Sequence, residues 1–100
     1  MKVMSYKVGQ EPKIMEIENT LEALQKYVGG YVETFPIGHG LYVICDEDAQ
    51  LKGAPPNRIV DHITMNTSYG MVLGDFAVVR VKNGDFESIT DLDIKILLGK

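Results

Sequence analysis

The sequence predicts an α+β domain: a largely antiparallel sheet of about five to six strands with two helices packed on one face. Two segments, at 19–28 and 90–98, set apolar residues at helical spacing between a capping residue and a glycine. Most other patterned segments are short, rich in β-branched and aromatic residues, and bounded by Gly, Pro or Asn. Two of the connections, 36–40 and Asn83-Gly84, are hairpin-length and imply antiparallel neighbours.

Taken in order, residues 2–8 read as a strand through Val3, Tyr6 and Val8. Gly9 to Pro12 is a turn. Lys13 to Ile17 is a second strand, with Lys13 outward, Ile14 inward, Met15 outward and Ile17 inward. Asn19 is the expected N-cap of the first helix, with Glu22 in the capping-box position. Leu21, Leu24 and Val28 form its apolar stripe, and Gly29-Gly30 stops it.

Strands follow at 31–35 and 41–45. The run Leu41-Tyr42-Val43-Ile44-Cys45 is apolar enough to be central in the sheet. Gly53 to Arg58 is stiffened by Pro55-Pro56 and reads as neither helix nor central strand. Residues 59–63 fit a short strand or a helical turn, and 64–70 reads as loop. Phe76 to Lys82 is a strand, Asn83-Gly84 a hairpin turn and 85–88 the return. Thr90 caps the second helix with Asp93 at N3, and Ile89, Leu92 and Ile96 are its expected stripe, flanked by Leu97.

The chain has 100 residues, 45% hydrophobic and 24% charged, which fits one globular domain spanning 1–100 and argues against disorder. No apolar run reaches the ~18 residues a membrane helix requires. Charge falls too early in Met1 to Lys7 for a secretion signal. The single cysteine, Cys45, excludes an internal disulfide and favours a reducing, cytoplasmic setting. With net charge −4 and tyrosines not interleaved with basic residues, nucleic acid is not an expected partner.

Catalytic patterns are absent from the sequence. No phosphate loop, Gly-x-Ser-x-Gly or metal-ligand spacing occurs. Cys45, His39, His62 and Asp61 supply the residue types for a nucleophile and base, but Cys45 ends an apolar strand, where a thiol is normally buried and inert. Neither a metal nor a cofactor is expected.

Three segments together resemble a known family: Ile17 to Gln25, Val28-Gly29-Gly30-Tyr31-Val32-Glu33 and Gly53-Ala54-Pro55-Pro56-Asn57-Arg58. Gly74-Asp75-Phe76 and Asn83-Gly84-Asp85-Phe86 extend the likeness, while Asp61 to Gly70 departs from it. The chain resembles the domain of unknown function 3846 family, found in bacteriophages, plasmids and Gram-positive bacteria. The family carries no established activity to transfer. The resemblance implies a small cytosolic accessory protein of a mobile element, acting in host takeover or against host defences.

The candidate binding residues are Asn19, Gln25, Gly29, Gly30, Pro55, Pro56, Asn57 and Arg58. The two prolines would present Asn57 and Arg58 with little entropy left to lose, and a guanidinium forks onto carboxylate or phosphate. The competing reading makes 55–58 a structural turn with Arg58 paired to an internal acid, Asp61 or Asp46. The glycine pair would admit a ligand close to the backbone, or simply end the helix. On the binding reading, the helix end and the proline corner border one shared surface. The expected partner is a host protein. The alternative is a small anionic ligand, a nucleotide or phosphorylated metabolite, and the third reading is a hydrolase using Cys45 or His62. An uncovered sheet edge would also permit a homodimer.

Overall fold

The structure, a computed structural model, describes residues 1–99. Ten elements follow in chain order: β1 Lys2–Tyr6, β2 Lys13–Glu16, α1 Leu21–Val28, β3 Val32–Gly38, β4 Leu41–Asp46, β5 Pro56–Asp61, β6 Ser68–Leu73, β7 Phe76–Lys82, β8 Asp85–Glu87 and α2 Asp91–Leu98. The main sheet has six strands in the order β2-β1-β7-β4-β3, with β8 also pairing β7, and every pairing is antiparallel. β1 borders β7 at Phe76 to Val78, and β8 borders it at Arg80 to Lys82. β5 and β6 form a separate two-stranded sheet. The α+β class and the six-stranded antiparallel sheet are as the sequence predicts.

The central strands alternate between two cores, as a period of two requires. Val3, Ile44, Ala77 and Val79 point to one face, where Leu24 and Val28 of α1 cover them. Met4, Val43, Cys45, Phe76 and Val78 point to the other, where Val72 of β6 and, more peripherally, Val60, Ile94 and Leu97 cover them. Each fully buried Phe, Met or Leu here contributes about 1.5–3 kcal/mol relative to exposure. The expectation of both helices on one face is therefore corrected. α1 has one face to itself, because the β5–β6 hairpin and α2 together occupy the other.

Several local readings shift with it. Thr20, not Asn19, caps α1, its hydroxyl accepting from the Ala23 amide at 3.2 Å. Leu21 is exposed and leaves the stripe to Leu24 and Val28. In β2, Met15 faces the α1 core and Ile14 is exposed, the reverse of the expected alternation. Ile14 pairs with Met4, whose face is left uncovered at this outermost strand. In α2, Leu92 is exposed while Asp93 is fully buried; of the expected stripe, Ile89 is in the core, Leu97 packs against it and Ile96 is half-buried.

Two turns show why glycine stands where it does. Gly29 adopts φ 86 and closes α1, its amide donating to the Gln25 carbonyl at 2.8 Å. At Gly38, φ is 102 and the His62 ring packs where a side chain would begin. The β3–β4 turn carries a second positive φ at His39 and a third at Gly40.

Candidate functional site

The predicted site residues divide between the two faces. Asn19 precedes α1 and donates from Nδ2 to the Phe86 carbonyl at 3.1 Å, tying the helix entry to β8. Gln25, half-buried, and Gly30 border a shallow cleft of about 280 Å³ with Tyr31, Asp48 and Lys52. Lys52 Nζ donates to the Gly29 carbonyl at 2.8 Å and to Asp46 Oδ2 at 2.9 Å. A side chain at Gly30 would collide with that same Lys52–Asp46 pair, so the second glycine serves close packing.

Pro55 to Arg58 belong to the other face. Pro56 opens β5, where a missing donor is tolerated on an edge strand. Asn57 Nδ2 donates to the carbonyls of Tyr6 and Gly74, both at 2.9 Å, and so joins the hairpin to β1 and to the start of β7. Among the described residues, Arg58 pairs with no acid. Its Nε donates to Asn57 Oδ1 at 3.2 Å, its Nη2 to the Gln10 carbonyl at 3.1 Å, and its guanidinium lies 4.9 Å from the Tyr6 ring centroid. Neither Asp61 nor Asp46 is its partner; Asp46 is held by Lys52. The proline corner and the helix end thus share no surface, because α1 packs on one side of the main sheet and β5 on the other.

Two buried carboxylates are structural. For Asp93, burial alone would raise the pKa, but Arg80, with the Thr90 amide and hydroxyl, outweighs it and holds the carboxyl below its usual range. Arg80 Nε donates to Asp93 Oδ2 at 2.9 Å, and the Thr90 amide donates to the same oxygen at 2.8 Å. The capping box anticipated at Thr90 is present. Asp46 follows the same pattern: burial opposes ionisation, and bonds from Lys52 and the Asp48 amide prevail.

The catalytic residue types do not converge. Cys45 is buried, and burial first, then the charges of Glu33 and Asp46, push its thiol up to about 11. His62 packs against Gly38, whereas Cys45 lies opposite Glu33, five positions back along β3. That spacing corresponds to roughly 16 Å of strand. The His62 Nδ1 accepts from the Thr64 and Met65 amides at 3.2 and 3.0 Å, which fixes the ring as a turn-former. Among the described residues, no group of three or more His, Cys, Asp or Glu side chains could hold a metal ion. None of the helices among the described residues is long and apolar enough to cross a membrane.

A different place has the form of a binding site. Between the β3–β4 end of the main sheet and the β5–β6 hairpin lies an open cleft of about 400 Å³. Glu33, Phe35 and Cys45 come from the sheet, Tyr69, Met71, Val72 and Leu73 from the hairpin, and Glu47, Ala49 and Gln50 from the segment after β4. Phe35 and Tyr69 pack with ring centroids 4.7 Å apart and planes inclined by 41°. Tyr69 is 44% and Met71 50% exposed. Among the described residues, no lysine or arginine lines the cleft, and three carboxylates do: Glu33, Asp46 and Glu47.

Sequence reasoning did not find this cleft. Its hairpin wall comes from the 64–70 segment, which reads as loop, and from the short apolar run Met71-Val72-Leu73, while Phe35 and Glu33 look like ordinary strand residues. The available signal was Tyr69 and Met71 at a spacing of two, flanking Gly70.

No curated protein and no solved structure matches the chain. The profile of the family described as Domain of unknown function (DUF3846) matches residues 1–100, its whole length, and the chain belongs to that family.

Proposed function

We propose that the protein is a non-catalytic binding module that engages a partner protein through the cleft between its main sheet and the β5–β6 hairpin. The observation that carries the reading is a concentration of exposed apolar surface. Of the ten large hydrophobic side chains exposed among the described residues, Ile59, Met65, Tyr69 and Met71 sit on this one hairpin or its tip, and Tyr69 and Met71 line the cleft. Isolated exposed apolar residues are ordinary, but a local group beside a cleft is typical of interaction surfaces. The partner is read as a host protein of a phage or other mobile element, met in the cytoplasm, which the lone unpaired Cys45 suits.

An anionic small ligand has weaker support. Arg58 and Lys52, the cations near the sequence-predicted sites, are engaged within the chain, and the larger cleft is acidic. The hydrolase reading has weaker support still, since Cys45 and His62 stand apart.

Affinity capture from a Gram-positive host, followed by binding measurements on the purified partner, tests the proposal. Tyr69→Ala with Met71→Ala is expected to weaken binding at least about tenfold, the scale of one to two lost apolar anchors. A partner indifferent to that double change, or turnover that depends on Cys45 or His62, overturns it.

A further inference from the structure

We infer that the occupant of the cleft is a basic segment of the partner, which seats a lysine or arginine side chain between the Phe35–Tyr69 pair and the carboxylates of Glu33 and Glu47. The inference rests on the binding reading above and names the chemistry of the partner.

Charge complementarity is the first support. Among the described residues, the cleft lining has three carboxylates and no lysine or arginine. Asp46 is neutralised by Lys52 at 2.9 Å, which leaves Glu33 and Glu47, both exposed, as the uncompensated pair. The low-dielectric floor beneath them strengthens their field over that of the same charges on an open surface.

The aromatic pair is the second support. A cation is attracted to the face of a tyrosine or phenylalanine, by about 0.5–1 kcal/mol where exposed and more where water is excluded. The chain uses this contact already, with Arg58 over Tyr6 on the inner side of the hairpin. At the cleft the rings are in place and the cation is not supplied by the chain. Met71 and Leu73 line the same wall and suit the methylene stem of a long basic side chain, which buries its stem and extends its charge. An acidic peptide would meet only like charge, and a purely apolar segment would strand Glu33 and Glu47 without compensation.

The test uses the full chain, isotope-labelled, titrated by NMR with acetylated tetra-arginine amide and, separately, with acetylated tetra-glutamate amide. Saturable shifts confined to Glu33, Phe35, Cys45, Tyr69 and Met71, which shrink as salt rises, are expected for the basic peptide alone. Glu33→Gln with Glu47→Gln is expected to weaken that binding about tenfold, and Glu33→Asp with Glu47→Asp to retain most of it. Both positions are exposed, so the double variants keep the fold. Equal shifts with tetra-glutamate, shifts elsewhere on the surface, or indifference to the glutamine pair overturn the inference. Concentration-dependent shifts without peptide would overturn it too, by making a second copy the occupant. The two readings fail separately. A partner protein lost with Tyr69→Ala and Met71→Ala but untouched by the glutamine pair leaves the binding module and removes the basic segment.

Discussion

Asn57, with Arg58, is among the residues the sequence offers for recognition, and the structure makes it a staple. Its Nδ2 group donates to two main-chain carbonyls, those of Tyr6 and Gly74, and its Oδ1 receives Arg58 Nε. Asn57→Ala removes three hydrogen bonds and leaves two carbonyl oxygens short of a donor in a partly buried seam. At about 0.5–1.5 kcal/mol net per bond, discounted for water reaching part of the seam, the loss is about 1.5–3 kcal/mol. Asn57→Asp is the sharper test. It keeps the shape but turns a donor pair into an oxygen facing two carbonyl oxygens, so an ionised side chain must lose more than the alanine does. Urea unfolding at pH 7 measures both, read as a shift in midpoint at constant slope. The order wild type, then Asn57→Ala, then Asn57→Asp is expected. Both variants within about 0.5 kcal/mol of wild type, the range of ordinary surface changes, would refute the staple and return Asn57 to the list of presented residues.

Asp93→Asn should cost about 2–4 kcal/mol, because the buried carboxylate holds both Arg80 and the Thr90 amide. Its folded pKa is depressed, so its contribution is complete above the unfolded carboxyl value of about 3.9 and is lost as pH falls through the folded one. Acid titration of the urea midpoint should show this loss in wild type and a smaller one in Asp93→Asn, where the depressed Asp46 still contributes. Cys45 acts at the other end. Its thiol is raised from 9.0 to about 11, so the unfolded state ionises first and stability declines across that interval, a decline that Cys45→Ala lessens while the raised Tyr6 and Tyr27 keep their share. His62→Ala should remove the acceptor for the Thr64 and Met65 amides and speed hydrogen exchange in 64–67, with β1, β4 and β7 unchanged.

The main sheet was legible because its signals are strong and local. Leu41 to Cys45 read as a central strand and lies between β3 and β7. Asn83-Gly84 read as a hairpin and joins β7 to β8, with φ 53 and 81 at its two residues. Helix faces were less legible because apolar spacing does not determine rotation. In α2 the stripe Leu92–Ile96 is apolar enough to face inward, yet the bidentate grip of Arg80 on Asp93 turns the adjacent position to the core. One residue is about 100° of helix, so burying Asp93 leaves Leu92 exposed and adds Ile94 to the expected Leu97 against the core. The pair links positions 13 apart, and nothing in the pattern of either segment announces it.

The hairpin was illegible for a reason that also bears on what the protein does. A two-stranded sheet alone is marginal, so its residues need not alternate cleanly, and 64–70 carries no strand signal beyond Tyr69. It holds because it is docked, by Asn57 to Tyr6 and Gly74, by the Ile63 amide to the Ile37 carbonyl at 2.7 Å, by His62 against Gly38 and by Val72 in the core. Those docking groups are inward. The outward groups, Ile59, Met65 and Met71, are half or more exposed, make none of these docking contacts and cost solubility. An element whose attachment is met by polar staples does not require exposed methionine and isoleucine to stay in place. Their presence on it, beside an acidic cleft, is what favours an outside partner over a purely architectural role, and the same reasoning makes the hairpin the part of the chain to mutate first.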